Sequence, residues 1–427
     1  MREMKDSGIE WVGQIPFSWD VKQIRAKFRE VTEKNKLGIE KNALKFTYGN
    51  IVKKDNFDAA DDDYVANTIL NYRVVNPGTI MLNGLNLNFD FVTQRVALVK
   101  ERGIITSAYI AFAPILDDDI STQFFTYLLK AYDSCKAFHN MGGGVRKILN
   151  FAELKKQYIV YPTITDQKRI ANFLDAKCAE IDALTVDIQT QIDTLEQYKR
   201  SVITEAVTKG LNPDVEMKVS GTPWCPLIPI HWKYANPKVL FTQRLDRAYP
   251  GDKQLTASQE YGVIYQDEYM ELTGTKIVTV MKDFSILKHV EPNDFVISMR
   301  SFQGGLEYSE RRGSISSAYV MLIPNNEYVY PPFYRWFFKS SKYINAIQST
   351  SNLVRDGQAM RYANFAQVPL FIIPLDEQKQ ISEYLDEKVS KIDEILKSKK
   401  NQLEILAEYK KSLIYEYVTG KKEVPII

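Results

Sequence analysis

The chain has 427 residues, of which 45% are hydrophobic and 25% are charged, with 55 Lys and Arg against 53 Asp and Glu. These values are those of a globular protein with real hydrophobic cores, and the length predicts two or three domains. Because the net charge is only +2, any phosphate-binding surface must come from local clustering of basic residues.

The first half of the chain predicts a mixed domain followed by a long helix. The domain spans residues 1–161 and combines short β-rich runs, such as TIMLN at residues 79–83, with the amphipathic helical pattern of residues 121–138. The helix is expected from about Thr165 to Thr208, within a spacer and linker segment at residues 162–212.

The second half of the chain has the same plan. Its domain spans residues 213–373, with a strand predicted at residues 295–299 (FVISM) and a second amphipathic helical pattern at residues 331–347. Another long helix is expected from about Asp376 to Thr419, within the final segment at residues 374–427.

Three motifs show that the second half repeats the first. WVGQIPFSW, TSAYIAFAP and QKRIANFLD begin at residues 11, 106 and 167, and they return as WCPLIPIHW, SSAYVMLIP and QKQISEYLD at residues 224, 316 and 378. The offsets are 213, 210 and 211 residues, far longer than a solenoid repeat, so a whole domain with its helix is duplicated. Two like modules in one chain usually sit about a pseudo-twofold axis, which suits duplex DNA as a partner.

Apolar residues in both long helices recur every seven positions, which predicts a coiled-coil seam between them. The expected seam residues are Leu174, Ile181, Leu184, Ile188, Gln191, Leu195, Tyr198 and Val202 in the first helix, and Leu385, Ile392, Ile395, Gln402, Leu406, Tyr409 and Leu413 in the second. Gln191 and Gln402 fit either register-setting positions within the seam or its solvated margin. The alternative for the whole pattern is that each helix packs only on its own domain.

These elements predict an α+β fold. Two similar mixed α/β globular domains are joined and separated by two long antiparallel coiled-coil helices, with pseudo-twofold symmetry.

No motif in the chain predicts catalysis, a bound cofactor or a metal site. The three cysteines are isolated, and the three histidines have neither metal nor triad spacing. There is no GxxxxGK[ST] loop for ATP, and YPPF at residues 330–333 is better explained by Pro-Pro opening a helix than by a methyltransferase motif. The N-terminus lacks a signal core and no apolar run is long enough to cross a bilayer, so we expect a cytoplasmic protein that is not an enzyme by itself.

The repeated entry into each long helix resembles that of the specificity subunit of type I restriction-modification enzymes. The entry motifs are PTITDQKRIANFLD from residue 162 and PLDEQKQISEYLD from residue 374. The openings SGIEWVGQIPFSW and SGTPWCPLIPIHW, from residues 7 and 220, also look like those that begin each target-recognition domain in that family. The resemblance covers the whole chain.

The resemblance implies a function and a set of partners. Each globular domain would be a target-recognition domain that reads one half of a bipartite, asymmetric site on double-stranded DNA, and the helices would set the spacing between the halves. Two methyltransferase (modification) subunits would dock on this chain, and two restriction (translocase and nuclease) subunits could join. S-adenosylmethionine, ATP and magnesium would serve those partner subunits.

Polar and basic residues near the predicted strands and before the long helices are candidates for DNA contacts. Asn and Gln match adenine edges, whereas Arg matches guanine or phosphate. The alternative is that these are ordinary solvated loops, or that the second set only bridges to the helices. The first set is Asn83, Asn86, Asn88, Gln94, Arg95, Arg300, Ser301, Gln303, Arg311 and Arg312, and the second is Arg146, Lys147, Arg355 and Arg361.

Two other function classes stay open on the sequence alone. One is a self-sufficient DNA methyltransferase or nuclease, which the missing motifs disfavour. The other is a coiled-coil adaptor that binds only proteins. The target bases, the spacer length and the strand preference of each domain are not encoded in any motif.

Overall fold

The computed structural model describes residues 2–54, 68–88, 94–116, 118–143, 147–277, 284–298, 301–350 and 360–425. The chain forms two compact units. Unit 1 comprises residues 1–188 and 401–427, and unit 2 comprises residues 189–400. This division differs from the four segments expected from the sequence, because each unit takes part of both long helices.

Unit 1 contains twelve strands among its described residues. Its central sheet is antiparallel with the order β4-β11-β8-β9, and four two-stranded pairs surround it: β1 with β2, β3 with β12, β5 with β6, and β7 with β10. The strands are β1 Met4–Asp6, β2 Gln14–Pro16, β3 Asp20–Gln23, β4 Phe28–Glu30, β5 Leu44–Thr47, β6 Asn50–Lys53, β7 Arg73–Val75, β8 Ile80–Leu82, β9 Val96–Leu98, β10 Gly103–Ile105, β11 Ile110–Pro114 and β12 Tyr158–Tyr161.

Unit 2 repeats this topology strand for strand. Its central sheet has the order β16-β23-β20-β21, and its pairs are β13 with β14, β15 with β24, β17 with β18, and β19 with β22. The strands are β13 Met217–Val219, β14 Leu227–Pro229, β15 Lys233–Ala235, β16 Phe241–Arg244, β17 Leu255–Ser258, β18 Gly262–Tyr265, β19 Lys288–Val290, β20 Phe295–Ile297, β21 Glu307–Tyr308, β22 Gly313–Ile315, β23 Val320–Pro324 and β24 Leu370–Ile372. The duplication is confirmed, and so are the two strands predicted from their residue pattern, β8 and β20.

The helices also follow the repeat. They are α1 Thr122–Ser134, α2 Phe151–Leu154, α3 Ile164–Lys209, α4 Pro237–Leu240, α5 Gln266–Thr273, α6 Ser301–Gly304, α7 Pro331–Phe337, α8 Ser341–Ser349, α9 Tyr362–Phe365 and α10 Leu375–Val418, with 3-10 turns at Ile24–Ala26, Ala137–Asn140 and Phe284–Ile286. The expected single helix at residues 331–347 is two helices, and the Ser340 hydroxyl donates to the Phe337 carbonyl at 2.7 Å in the turn between them. As expected, α7 opens on Pro331. Among the helices in the described part of the chain, none combines the length and apolar content needed to cross a membrane.

A buried glutamine explains the repeated entry motif. In unit 1 the side chain of Gln167 donates to the carbonyls of Pro162 and Asp119 and accepts from the Ser121 backbone amide. In unit 2 Gln378 makes the same three kinds of bond, donating to Ile373 and Tyr328 and accepting from Tyr330. The glutamine hydrogen-bonds backbone groups on both sides of the helix start, and so fixes the start of each long helix against its globular domain.

In unit 1, the first part of α3 pairs with the last part of α10 in antiparallel orientation. The ring centres of Phe173 and Tyr417 lie 4.6 Å apart, and Lys410 Nζ lies 2.5 Å from Asp182 Oδ1. Ile181 joins Leu413 in the buried core that extends into the globular domain.

In unit 2, the last part of α3 pairs with the first part of α10 in the same way. Lys199 Nζ lies 2.6 Å from Asp393 Oδ1, and Lys400 Nζ lies 3.8 Å from Glu196 Oε1. The core of this unit includes Ile203 and Leu385. Both units therefore contain the antiparallel helix pair that the heptad pattern predicts.

The buried face of each helix has two heptad rows, and one of them differs from the expected seam. The expected row that starts at Leu174 and Leu385 is buried or half-buried throughout. The second observed row lies four residues after the first: it is Cys178, Thr185, Ile192, Lys199 and Ala206 in α3, and Val389, Leu396, Leu403, Lys410 and Tyr417 in α10.

Four of the other expected seam residues, together with Gln402, form an outer flank of the helix pair instead, whereas Gln191 is half-buried. Leu184, Tyr198, Ile395 and Tyr409 are 47%, 47%, 46% and 53% exposed, and Gln402 is exposed as well. The prediction from hydrophobicity chose the wrong second row. The observed second row contains the polar residues Thr185, Lys199 and Lys410, so it does not stand out as an apolar heptad pattern.

Candidate functional site

The connection between β8 and β9 in unit 1 is held together by a buried arginine. The guanidinium of Arg95, which is 1% exposed, donates to the carbonyls of Asn83, Leu85 and Asn86 at 3.0, 2.8 and 3.3 Å. Arg95 was expected to contact DNA, but its donors point into the protein and stabilise the loop. Asn86 is exposed on that loop, and Asn83 and Asn88 are half-buried.

A second candidate segment packs against this loop. The Leu87 amide donates to the Lys147 carbonyl at 3.1 Å, and the Leu149 amide donates to the Gly84 carbonyl at 2.9 Å. A Cβ on Gly84 would lie 2.3 Å from the Leu149 carbonyl oxygen, so only glycine permits this approach. The fold therefore brings Lys147 beside the asparagine loop, although about 60 residues separate them in sequence. Arg146 lies outside the described residues.

The tip of the β5–β6 hairpin completes this surface. A Cβ on Gly49, which has φ +72°, would meet the Gln94 side chain at 2.7 Å, so the tip lies directly on Gln94. Gln94 is exposed, and the neighbouring Tyr48 is 70% exposed. Sequence reasoning missed Tyr48, because its only signal is an aromatic residue beside a turn glycine.

The equivalent surface in unit 2 has the same construction. Ser301, expected to contact DNA, is buried, and its hydroxyl accepts from the Ser298 amide at 2.8 Å, so it shapes the β20–β21 connection. Gln303 on α6 is exposed. A Cβ on Gly304 would meet Gln259 at the tip of the β17–β18 hairpin at 2.5 Å, so a hairpin tip again lies on the connection. Arg300 lies outside the described residues.

The remaining candidates lie at other places in unit 2. Arg311 and Arg312 are exposed just before β22, and each has a loose ion pair of 3.5 Å, with Glu268 and Glu291 respectively. Arg361 is exposed where α9 begins, where its amide donates to the Asn364 side chain at 3.0 Å. Arg355 is outside the described residues.

Buried charges in the two units are structural. Burial raises the pKa of Asp133, which accepts from the Arg95 amide at 2.9 Å. Burial likewise raises the pKa of Glu307, whose carboxylate lies 2.7 Å from Lys339 Nζ. Within the described ranges, no three His, Cys, Asp or Glu side chains cluster in a way that could hold a metal ion. The candidate surfaces thus offer amide, guanidinium, ammonium and aromatic groups, which suit recognition of a nucleic acid.

The fold and these surfaces define a duplicated α+β recognition protein with two long helices. Residues 26–194 match the family model described as "Type I restriction modification DNA specificity domain". The chain is 21% identical over 429 residues to a protein of Methanocaldococcus jannaschii named as the MjaX type I restriction enzyme specificity subunit, covering 97% of this chain and 96% of that one. It is also 21% identical to the EcoBI specificity subunit of Escherichia coli, over 72% of this chain and 67% of the relative.

Solved structures share the fold. A chain from a study of complex assembly and conformational transition of the type I R-M system has a TM-score of 0.69 at 13% identity, covering 96% of this chain and 99% of that one. The HsdS subunit from Thermoanaerobacter tengcongensis has a TM-score of 0.51 at 12% identity, covering 96% of this chain and 98% of its own. This chain is thus similar along its length to specificity subunits of type I restriction-modification systems, and its residues 26–194 match the DNA specificity domain of that family.

Proposed function

We propose that this chain is the non-catalytic DNA specificity subunit of a type I complex, and that each unit reads one half of a bipartite, asymmetric target. The observation that carries this proposal is the pair of equivalent surfaces in which a hairpin tip lies on the connection between two central strands. The two surfaces share a backbone arrangement but differ in side chains: unit 1 presents Asn86, Gln94 and Lys147, whereas unit 2 presents Gln259 and Gln303. Similar frames with different reading groups suit two different half-sites.

The long helices set the number of unread base pairs between the half-sites. The α3 helix has 46 residues and α10 has 44, and both units show the antiparallel pairing with an interhelical Lys–Asp ion pair. When one unit has bound its half-site, binding of the second unit becomes intramolecular, which raises the affinity of the whole chain for DNA. Because the connecting helices are stiff, half-sites at the wrong spacing are not bound by both units.

The outer flank of the helices docks two methyltransferase subunits. Leu184 and Ile395 are equivalent in the repeat, as are Tyr198 and Tyr409, and all four leave apolar surface in contact with solvent. A duplicated apolar flank suits two copies of the same partner, because each copy would find the same residues. S-adenosylmethionine, and ATP with magnesium for the restriction subunits, would serve catalytic groups of those partners.

Sequencing of modified bases in a host that carries the full system tests this proposal. Wild-type chain should direct methylation to one bipartite motif, and Gln303→Ala should alter only one of its half-sites, whereas Gln94→Ala should alter only the other. Val219→Ala, at a largely exposed position outside both surfaces, is the control. Methylation by the purified chain without any other subunit would contradict the proposal, because catalysis would then reside in this chain.

A further inference from the structure

One face of unit 2 carries three basic side chains over two tyrosine rings. Lys253 Nζ lies 5.2 Å from the centre of the Tyr265 ring, and Arg311 Cζ lies 5.5 Å from the same ring. Arg312 Cζ lies 6.0 Å from the centre of the Tyr249 ring. At these distances the face of an aromatic ring attracts a cation. The two tyrosine rings therefore orient the basic side chains, whose charged groups stay accessible to solvent. We call these five residues the basic–aromatic patch.

The equivalent face of unit 1 has different side chains at these positions. The strands that begin at Gly103 and Gly313 correspond, since each glycine pairs with the last residue of the neighbouring strand. Arg311 therefore corresponds to Glu101, and strand pairing likewise matches Tyr265 with Lys53. In unit 1 these two positions form an ion pair of 3.6 Å, whereas in unit 2 they present a cation on an aromatic ring.

The arginine that the two faces share is held differently in each. Arg102 in unit 1 is fixed by hydrogen bonds to Glu40 at 3.1 Å and to Asn76 at 2.6 Å. Arg312 in unit 2 has a 60% exposed side chain, and its 3.5 Å ion pair with Glu291 is too long for a strong hydrogen bond. A loose exposed pair contributes little to stability, so Arg312 can turn to another anion at small cost.

A buried histidine lies beneath the patch. His289 is fully buried, with Nδ1 2.7 Å from Asp252 Oδ2 and Nε2 2.7 Å from Glu291 Oε1, and its ring centre is 4.2 Å from that of Tyr249. Both ring nitrogens face carboxylates, so neither can act as a base toward a further group. The matching position in unit 1 is the core residue Val74. The histidine thus fixes Glu291 and Tyr249, the two neighbours of Arg312.

We propose that the basic–aromatic patch binds the phosphate backbone of duplex DNA beside the half-site read by unit 2, and that His289 is a positioning residue for Arg312. This inference rests on the proposed function. The loose, exposed ion pairs of Arg311 and Arg312 can be exchanged at small cost for contacts with phosphate oxygens, which the planar guanidinium group binds well. Such contacts position the protein on the duplex without reading sequence. Unit 2 therefore contributes more of the salt-dependent binding than unit 1.

The test measures how duplex binding by the complex of full-length chain and methyltransferase subunits depends on salt. Each phosphate contact contributes about 0.9 to the slope of log affinity against log salt concentration. We expect Arg311→Ala with Arg312→Ala to reduce the slope by about 1.8, since two contacts are lost. Arg102→Ala, the matched control in unit 1, should leave the slope unchanged. A random-sequence duplex suffices as the probe, because the contacts carry no sequence information.

The outcomes separate this inference from the proposed function. If the wild-type complex binds duplex DNA and the double variant has the same slope, the patch proposal is overturned and the specificity function stands. If the wild-type complex shows no salt-dependent binding, the proposed function itself fails. His289→Val should also reduce the slope, by up to about 0.9, and His289→Gln should restore part of it. If a His289 variant lowers the unfolding temperature but has the wild-type slope of log affinity against log salt concentration, His289 has a structural role and does not position Arg312.

Discussion

Lys410 Nζ lies 2.5 Å from Oδ1 of Asp182, and the same relationship recurs between Lys199 and Asp393 at 2.6 Å. Each residue of one pair is 211 positions from its counterpart in the other. In both units the lysine belongs to a buried row in the second half of one helix, and the aspartate flanks that row in the first half of the other. A slipped register would bury part of an unpaired lysine, so the pairs favour one alignment.

These pairs predict a charge-reversal result. Asp182→Lys sets two ammonium groups against each other and should lower the unfolding temperature, whereas adding Lys410→Asp should recover most of the loss. The coupling free energy should be about 0.5–1 kcal/mol, since both groups are partly exposed. Thermal unfolding of the single and double variants measures it. The matched cycle at Asp393 and Lys199 should give the same value, and zero coupling in both cycles would contradict a register role.

The spacer role predicts an effect of helix length. Insertion of four residues after Gln191 and after Gln402, equivalent positions of the repeat, adds about one turn to each long helix. We expect sequencing of modified bases to show both half-sites unchanged and a longer unread spacer between them. Changed half-site bases, or an unchanged spacer, would contradict the proposal that these helices set the spacing.

The outer flank predicts where the methyltransferase subunits dock. Leu184→Asp places a charge in the apolar flank and should weaken assembly at one copy of the site, because burying an unpaired carboxylate costs several kcal/mol. The control is Val186→Asp, because Val186 is 67% exposed on the same helix but outside the flank. Mass measurement of the purified complex should show one methyltransferase subunit lost with Leu184→Asp and none with Val186→Asp. If both variants bind the same number of methyltransferase subunits, the proposal that the flank is the docking surface is wrong.

The sequence predicted most of the fold because the same pattern occurs twice. The starts of α3 and α10 lie within one residue of the expected positions, since proline and the glutamine motif mark them. The second buried row was misplaced because hydrophobicity alone cannot place Lys199 or Lys410 there. Their stems are buried while their ammonium groups reach aspartates on the other helix.

The candidate surfaces were harder to predict, because the sequence of a loop does not show whether a polar side chain points into the protein or into solvent. Arg95 and Gln94 are adjacent in sequence, yet one is buried beneath backbone carbonyls and the other is exposed. Only tertiary contacts distinguish them. The approach of Lys147 to the asparagine loop depends on Gly84, whose role is invisible without the Leu149 carbonyl that it contacts.

The repeated tryptophans predict a difference in stability between the units. In unit 2, Trp232 Nε1 donates to Glu377 at 3.0 Å, whereas the buried Nε1 of Trp19 in unit 1 has no hydrogen-bond partner within the described residues. The residue that corresponds to Glu377 is Asp166, one methylene shorter. Glu377→Asp should therefore destabilise the protein by about 1–3 kcal/mol, since it leaves a second buried indole N–H unsatisfied.

The reciprocal change provides the control for this prediction. Asp166→Glu should offer Trp19 an acceptor and raise stability by about 0.5–1.5 kcal/mol. Chemical unfolding of both variants, followed by tryptophan fluorescence, measures the two effects. Destabilisation by Asp166→Glu comparable to that of Glu377→Asp would show that side-chain length, not the indole hydrogen bond, determines the result.

Glu307 predicts a pH-dependent contribution to stability. It is buried in β21 at the position that corresponds to Ala97 in β9, and burial raises the pKa of its carboxyl while Lys339 partly offsets this. The folded protein therefore holds this proton more tightly than the unfolded chain does. As pH falls from neutral through the raised pKa toward the ordinary value, protonation of Glu307 increases the free energy of unfolding. As pH rises again, the carboxyl becomes charged in the buried site and this contribution is lost.

Comparison with Glu307→Gln isolates this term, since glutamine keeps the shape but does not titrate. The unfolding temperature of the wild type, measured relative to the variant between pH 7.5 and about pH 4.5, should shift in favour of the wild type as the solution becomes more acidic. Glu310→Gln is the matched control, because Glu310 is exposed and lies three residues further along the chain. Parallel pH curves for the wild type and Glu307→Gln would mean that Lys339 fully compensates for the burial of the carboxylate.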